Sequence, residues 1–368
     1  MTRIKAIATH VPEYTISPEN LISWFEKQFE PAEGRKIRHL VNESLIERKY
    51  SVVPDFLLNR QEAQLYRQNG QGINWPSLKE RMGTFEDAGI EMGVKVGQKS
   101  LDKAGINPEE VTHFIAVSCT GLSAPGPEII IPEKLGIREN IERNAVNFMG
   151  CYAAFHAMRM ADRICRTEPE SRVLIVCSEA CSLHFFNDPS TDNLLASSLF
   201  SDGAAAILMT PEEQETGWLN PVFDSALIRE GREDMGWHIG AERFEMTLSS
   251  KVAGRIKNKI SDFIGRISEK AGVKSDEFDY YALHPGGKSI LNAAIKGMKV
   301  QEEKADAAFD VLRKFGNMSS PSILFVLQQI QQKIENSEIQ HDHYNILASA
   351  FGPGLTLEGA VLQYKPGV

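Results

Sequence analysis

The segment HFIAVS, residues 113–118, decides the fold class, because six largely apolar residues predict a β-strand inside the protein. Residues 172–177 and 204–209 are two further apolar runs of strand length. Residues 151–165 lie between the first two runs and predict an alanine-rich helix. Strands that alternate with helices in this way indicate an α/β protein built in layers.

The second half of the chain repeats this mixture of elements. Apolar side chains recur at helical spacing over residues 251–271, and Gly272 follows as a stop signal. The other predicted elements are a strand at 279–283, a helix at 319–334 and strands at 345–350 and 357–363. Two halves of similar content suggest a duplicated core.

The amino-terminal part of the chain gives a weaker signal. Residues 85–104 predict a helix that Gly105 ends. The first 80 or so residues before it are rich in charge and show no clear apolar period, so we expect them to be irregular.

Composition restricts the class of protein. The 368 residues are 42% hydrophobic and 24% charged, which is ordinary for a globular protein, and the formal net charge is -9. A net negative charge disfavours general nucleic-acid binding, which depends on neutralising phosphates. No apolar run approaches the roughly 20 residues that span a bilayer, and residues 1–7 lack the apolar core of a signal peptide.

The cysteines indicate a reducing compartment. Their number is five, which is odd, and they form no paired framework, so we expect free thiols and a cytoplasmic protein. Cys177 and Cys181 are four residues apart, but no second pair accompanies them. We therefore predict no metal site.

Three polar residues stand out as candidates for chemistry. Cys151 follows a glycine at a predicted helix start, where unpaired N–H groups favour a thiolate, although a buried cysteine is often only structural. His284 ends a predicted strand and precedes Pro-Gly-Gly, a position suited to function or to a structural histidine. Asn317 lies near a predicted helix start, where its amide serves either as a cap or as an oxyanion donor.

Six segments together are far more specific than any one of these residues. They are GC at 150–151, CSE at 177–179, LFSDGAAA at 199–206, HPGG at 284–287, GNMSS at 316–320 and FGPGLT at 351–356. With these segments the chain resembles the type III polyketide synthases, the chalcone synthase-like branch of the thiolase-fold condensing enzymes. Met235-Gly236-Trp237 resembles the bacterial members more than the plant ones.

The resemblance implies a duplicated thiolase-like fold with layers in the order α-β-α-β-α. It implies an N-terminal half at 1–215 that carries the cysteine and a C-terminal half at 216–368 that carries the histidine and asparagine. It also implies a homodimer. Ala124 stands where plant enzymes have a larger residue that reaches into the partner's site.

The resemblance further implies a reaction. Cys151 would accept a starter acyl group from CoA and then the growing chain. His284 and Asn317 would hydrogen-bond the malonyl thioester carbonyl, so that loss of CO₂ leaves a stabilised enolate. The substrates would be acyl-CoA and malonyl-CoA, with no bound cofactor, and the product a pyrone, resorcinol or other cyclised polyketide.

Further positions would shape and gate the cavity. Phe200 would be an aromatic gate, with Met246 where plant enzymes have a second gating phenylalanine. The expected wall positions are Cys119, Thr120, Trp237, Gly352, Pro353 and Gly354. Each also has a plain structural interpretation, as a core side chain or a turn.

Three basic residues are candidates for the CoA phosphates: Lys36, Arg38 and Lys288. Exposed lysines and arginines are also common without any ligand. No carrier-protein segment is evident, which fits an enzyme that uses free CoA thioesters.

Two alternatives remain open at this point. A β-ketoacyl synthase III-type enzyme also uses Cys, His and Asn, but performs one condensation with carrier-bound malonate. A non-catalytic thiolase-fold protein of an assembly usually lacks the nucleophile, which is present here. The sequence leaves the starter, the number of extensions and the ring closure undetermined.

Overall fold

The computed structural model describes residues 2–57, 63–69, 72–211, 216–339 and 341–367. Fifteen strands and eleven α-helices occur in these ranges. The strands are β1 (Thr2–His10), β2 (Tyr14–Ile16), β3 (Lys49–Ser51), β4 (Gln68–Asn69), β5 (Gly72–Ile73), β6 (His113–Ser118), β7 (Glu142–Asn147), β8 (Val173–Ala180), β9 (Asp202–Pro211), β10 (Gly217–Leu227), β11 (Met235–Ile239), β12 (Phe244–Leu248), β13 (Tyr280–Leu283), β14 (Tyr344–Gly352) and β15 (Thr356–Lys365).

Two of the four helices in the second half of the chain match predicted helices, whereas those at 288–298 and 306–315 were not predicted. The α-helices are α1 (Pro18–Glu26), α2 (Pro31–Glu43), α3 (Leu78–Thr84), α4 (Ile90–Ala104), α5 (Pro127–Leu135), α6 (Ala153–Thr167), α7 (Thr191–Leu199), α8 (Lys251–Ala271), α9 (Lys288–Met298), α10 (Asp306–Phe315) and α11 (Ser322–Glu335). A π-helical segment, Phe85–Gly89, joins α3 to α4.

Nine strands form one sheet in the described residues, in the order β13-β14-β15-β10-β1-β9-β8-β6-β7. β9 is antiparallel to β1 and β8, while β6 is parallel to β8 and β7. β15 is likewise antiparallel to β10 and β14, and β13 is parallel to β14. The same pairing pattern occurs twice, and only a short β1–β10 pairing joins the two sets. The topology thus carries the duplication that the sequence suggested.

The helices complete the predicted layers. α4 packs on β1, β8 and β9, and α8 packs on β10 and β15 at the other side of the molecule. α6 and α11 lie between, because each contacts strands of both sets. The order α-β-α-β-α is therefore confirmed.

The central position of α6 follows from its composition. Ala153, Ala154, Ala157 and Ala161 are all buried, and their small side chains let strands of both sets approach the helix closely. α8, by contrast, has one buried face, with Ile256 and Ile260 among its members, and one exposed face. α6 is therefore a core helix, whereas α8 covers the outside.

The expectation that the first 80 residues are irregular was wrong. β1 lies inside the large sheet, and α1 and α2 begin with prolines that suit the first helical turn. Arg3 and Lys5 interrupt the apolar pattern of β1, so it does not look like an interior strand in the sequence.

β8 also ends three residues later than predicted and begins one residue later, so it has eight residues rather than six. Ser178 and Glu179 looked like a polar strand end, but both are buried and hydrogen-bonded. Conversely, α11 begins at Ser322 rather than at 319, because the preceding residues form a loop of the site described below. No helix in the described ranges is long and apolar enough to cross a membrane.

Candidate active site

Cys151 lies in a short 3₁₀ turn, Gly150–Tyr152, that leads into α6. Gly150 has φ +80°, and a Cβ at this position would lie 2.5 Å from Cδ of Pro353. Only glycine fits there, so the turn packs directly against the loop at 352–354. The Cys151 side chain is 8% exposed.

His284 and Asn317 are held by other strands and loops. His284 follows β13 directly, and its backbone N–H donates to the carbonyl of Ser349, 2.8 Å away. Asn317 forms an isolated bridge with Phe200, in which its N–H donates to the carbonyl of Leu199 over 3.0 Å. Both side chains are almost completely buried, so backbone pairing fixes their positions.

The three predicted site residues meet in one cavity, called the central chamber here. The cysteine comes from the start of a helix, the histidine from a strand end and the asparagine from a loop. The chamber is lined by Cys151, Leu199, Phe200, Met235, Met246, Leu248, His284, Gly286, Ile290, Asn317 and Phe351. Its lining is apolar apart from the three site residues.

A second space, the inner cavity, begins where the central chamber ends. Both share Cys151, Phe200, Met235 and Met246. Four of the six predicted wall positions line the inner cavity: Cys119, Thr120, Trp237 and Pro353. The predicted gates Phe200 and Met246 therefore stand beside the thiol, between the two spaces.

A third space, the entrance cavity, adjoins the chamber on its other side. It shares Leu199, Leu248, Gly286 and Ile290 with the chamber and is also lined by Lys288. Entrance, chamber and inner cavity therefore form a series, with Cys151 at the junction of the last two.

Burial keeps Cys151 and His284 uncharged when each is considered alone. It raises the pKa of the Cys151 thiol to about 12, an effect that the neighbouring side chains of Ser319 and Asn317 oppose. It lowers the pKa of His284 to about 3, although the nearby amide of Asn317 opposes this shift. Among the described residues, neither ring nitrogen of His284 has a hydrogen-bond partner.

The amide of Asn317 has a fixed orientation. Its Oδ1 accepts a hydrogen bond of 2.9 Å from the N–H of Ser319, which has a positive φ of 59°. Because the carbonyl end is used in this way, the NH₂ end remains as a donor for the chamber. A donor amide and an imidazole side by side can stabilise a developing oxyanion.

Glu179 is a site residue whose role the sequence did not predict. This fully buried carboxylate accepts from the N–H of Cys119 (2.8 Å) and the hydroxyls of Thr120 (2.7 Å) and Ser320 (2.6 Å). Burial raises its pKa, and these hydrogen bonds oppose the shift. Glu179 thus ties the cavity wall to the loop that carries Asn317. The buried CSE segment was its only sequence signal.

Cys119 is a wall residue by its contacts. Its Sγ accepts from the N–H of Gly150 at 3.0 Å, and its carbonyl accepts from the indole N–H of Trp237 at 2.7 Å. Burial and the charge of Glu179 raise its thiol pKa well above the usual value. Cys119 therefore lines the cavity and positions the turn that carries Cys151.

The loop at 352–354 is likewise packed against the nucleophile turn. A Cβ on Gly352 would lie 2.5 Å from the ring of Tyr152, so this glycine permits close contact. The hydroxyl of Tyr152 donates to the carbonyl of Pro353 over 3.3 Å. Gly354 has a φ of 129° and completes the turn into β15.

The three residues predicted to bind CoA phosphates differ in their position relative to the entrance cavity. Lys288 lines the entrance cavity, where its Nζ lies 3.6 Å from Glu43. Lys36 is exposed on α2, one turn before Leu40, which also lines that cavity. Arg38 does not line it and instead forms two hydrogen bonds with Glu26, of 2.9 and 2.7 Å.

Comparison with known families identifies the family of the chain. Residues 1–212 match the family described as chalcone and stilbene synthases, N-terminal domain, and residues 224–366 match the corresponding C-terminal domain. The chain belongs to the chalcone and stilbene synthase family. As a member of this family it is a type III polyketide synthase, an acyltransferase of the condensing class.

Individual relatives support the family assignment over nearly the whole chain. Type III polyketide synthase A of Arabidopsis thaliana is 27% identical over 97% of this chain and 91% of its own length. The alpha-pyrone synthesis polyketide synthase-like Pks18 of Mycobacterium tuberculosis is 30% identical, over 77% of this chain and 72% of its own.

Solved structures share the fold. PKS-I from the brown alga Ectocarpus siliculosus superposes with a TM-score of 0.92 at 24% identity, over 99% of this chain and 98% of its own. CsyB, solved in complex with CoA-SH, superposes with a TM-score of 0.88 at 21% identity over the full length of both chains. The thiolase-like fold of this polyketide synthase is therefore established.

Proposed function

We propose that this type III polyketide synthase carries its growing chain on Cys151 and forms the malonyl-derived enolate beside His284 and Asn317. The observation that carries the proposal is the central chamber, where a thiol, an unpartnered imidazole and an oriented amide converge between the entrance and the inner cavity. Fully buried ring nitrogens without partners are costly, and a substrate carbonyl oxygen would give one of them a partner.

Loading begins with a proton transfer. Burial alone would keep both Cys151 and His284 neutral, but a proton moved from the thiol to the imidazole creates two opposite charges that stabilise each other. The resulting thiolate attacks the carbonyl carbon of the acyl-CoA thioester. The C–S bond to CoA breaks, CoA leaves as its thiol after taking up the proton, and the acyl group remains on Cys151.

Extension uses the same donors. His284 and Asn317 donate to the thioester carbonyl of malonyl-CoA, so the C–C bond to the carboxylate breaks with release of CO₂ and leaves an enolate. The enolate carbon attacks the acyl carbonyl on Cys151, which forms the new C–C bond and releases the sulfur. The lengthened chain, now on CoA, returns to Cys151 for the next cycle.

The gates favour this order of events. Phe200, Met235 and Met246 form an apolar border between chamber and inner cavity. An apolar wall destabilises a carboxylate, because removing a charge from water is costly. Malonyl-CoA would be held on the chamber side and the uncharged chain would extend into the inner cavity.

We propose that two lysines contact the phosphates of CoA as it enters. They are Lys288, which lines the entrance cavity, and Lys36, which lies one helical turn before Leu40 of the same cavity. Arg38 is a weaker candidate because Glu26 already pairs with it.

We propose that the chain consists of two halves, 1–215 and 216–368. We also propose that it forms a homodimer whose interface includes Ala124 and Ile129, both of which are exposed in a single chain.

Mass spectrometry tests the function directly. Incubation with a panel from acetyl-CoA to long-chain and aromatic acyl-CoA should give an adduct on the peptide that contains Cys151. Adding free malonyl-CoA should release cyclised polyketides. A single β-ketoacyl product formed only from carrier-bound malonate would favour the β-ketoacyl synthase alternative. Absence of any adduct across the panel would favour a non-catalytic protein.

A His284→Gln variant tests the proton transfer. Glutamine keeps a donor in the chamber but accepts no proton, so no imidazolium can then stabilise a thiolate at Cys151, where burial raises the thiol pKa to about 12. A higher thiol pKa means less thiolate at neutral pH, so alkylation of Cys151 by iodoacetamide should be slower and its pH profile should shift upward. Identical alkylation profiles in both proteins would contradict this role of His284.

A further inference from the structure

A second cluster of ligand-type side chains lies at the opposite edge of the sheet from the active site. His113 and Glu142 are the first residues of β6 and β7 and are paired in register, and Glu168 directly follows α6. Cys119 follows the other end of β6 and lines the inner cavity. The five residue steps of β6 place the cluster about 17 Å from the end of the strand that precedes this wall.

The distances within the cluster fit a metal ion better than direct contacts. Nε2 of His113 lies 3.6 Å from Oε2 of Glu142 and 3.5 Å from Oε2 of Glu168. These separations are too long for hydrogen bonds. Ligands about 2.1 Å from a tetrahedral zinc ion are about 3.4 Å apart, which is close to both values. One ligand atom from each of the three residues lies within 4.8 Å of the others.

The burial of His113 provides an independent argument. Its side chain is 3% exposed, and Nε2 has no hydrogen-bond partner among the described residues although it faces both carboxylates. An unpartnered buried ring nitrogen is costly unless something binds it. A cation between His113 and the two glutamates would remove that cost.

The other ring nitrogen of His113 contacts Thr112. Nδ1 lies 2.8 Å from Oγ1 of Thr112, an oxygen that also accepts from the N–H of Arg172 at 2.8 Å and lies 3.3 Å from the Arg172 carbonyl. In the tautomer in which Nδ1–H donates to Oγ1 of Thr112, Nε2 carries a lone pair. A histidine that donates through one nitrogen and binds a metal through the other is the usual arrangement at metal centres.

The surroundings also favour a cation. Glu168 is the C-cap of α6, and the negative end of a helix dipole attracts positive charge. The side chains of Glu142 and Glu168 are 72% and 51% exposed, so an ion has access from solvent. A neutral imidazole with two carboxylates, leaving a fourth position for water, is a ligand set that suits zinc.

We propose that His113, Glu142 and Glu168 bind a divalent transition-metal ion, with zinc the best match. The ion would fasten the carboxyl end of α6 to the amino ends of β6 and β7. Cys151 precedes the other end of the same helix, so the site would support the element that carries the nucleophile. This differs from the sequence prediction of no metal site, because 29 and 26 residues separate the ligands and no motif spacing reveals them.

Metal titration of the purified full-length chain, after chelator treatment, tests the site. We expect one Co²⁺ per chain, with the visible absorption of a four-coordinate ion and no thiolate charge-transfer band, and displacement by Zn²⁺. Glu142→Gln and Glu168→Gln should each weaken zinc binding at least about tenfold. Both side chains are largely exposed, so these variants should fold. Glu170→Gln, in the same loop but outside the cluster, is the matched control and should bind as the unaltered chain does.

Further variants separate a built site from weak surface binding. Thr112→Val keeps all three ligands and should weaken zinc binding about 10–100-fold through the loss of the Nδ1 contact. At a zinc concentration near the dissociation constant of the unaltered chain, zinc should raise the melting temperature of that chain and of Glu170→Gln clearly more than that of Glu168→Gln. Equal zinc affinity in both ligand variants and the control, a thiolate band, or no binding at neutral pH would overturn the proposal. Polyketide formation by Glu168→Gln should persist, so this test is independent of the catalytic one.

Discussion

Replacing Cys151 by alanine is expected to abolish polyketide formation from acyl-CoA and malonyl-CoA, with a loss of more than about 10⁴-fold. The reason is that the variant has no atom that can accept the acyl group, so the covalent route is closed. Decarboxylation of malonyl-CoA should continue, because His284 and Asn317 remain in the chamber. Product analysis and ¹⁴CO₂ release measure the two steps separately.

Cys165→Ala is the matched control for this experiment. Cys165 is also a buried cysteine and belongs to α6, but it faces the core at the far end of the helix from Cys151. Its replacement should leave product formation within about twofold. Full product formation by Cys151→Ala, or an equal loss in both variants, would refute the assignment of the nucleophile.

Replacing Asn317 by alanine or aspartate is expected to slow malonyl-CoA decarboxylation by about 10²–10³-fold, which corresponds to about 3–4 kcal/mol of barrier for one oxyanion donor. Aspartate is the sharper variant. It keeps the oxygen that accepts from the N–H of Ser319, so the loop should stay in place, but it removes the donor and adds a negative charge. The initial rate of CO₂ release from malonyl-CoA measures the effect.

Acyl loading provides the internal comparison for Asn317. The thiol of Cys151 is intact in both variants, so adduct formation from an acyl-CoA should fall much less than decarboxylation does. Circular dichroism would establish that the variants are folded. A decarboxylation rate that stays within a few-fold of the unaltered chain would exclude Asn317 as an oxyanion donor.

Much of the fold was predictable because local sequence patterns specify many of its helices and strands. α8 begins and ends at the predicted residues, since its apolar period and Gly272 act within one helix. β6 was predicted without error for the same kind of reason. β1 was missed because an interior strand with Arg3 and Lys5 is recognisable only from its neighbours β9 and β10. The carboxyl end of β8 was missed because the burial of Glu179 depends on hydrogen-bond donors from distant segments, Cys119 and Ser320, which the local sequence does not reveal.

The sequence alone determined the chemical groups: a thiol at a helix start, an imidazole at a strand end and an amide in a glycine-led loop. Local backbone preferences are enough to place each of these on its element. Only the tertiary structure decided that Cys151, His284 and Asn317 share one buried chamber between two further cavities. Only it brought His113, Glu142 and Glu168 within ligand distance. The physical reason is that such contacts depend on how strands pair and layers stack, and no local stretch of sequence contains that information.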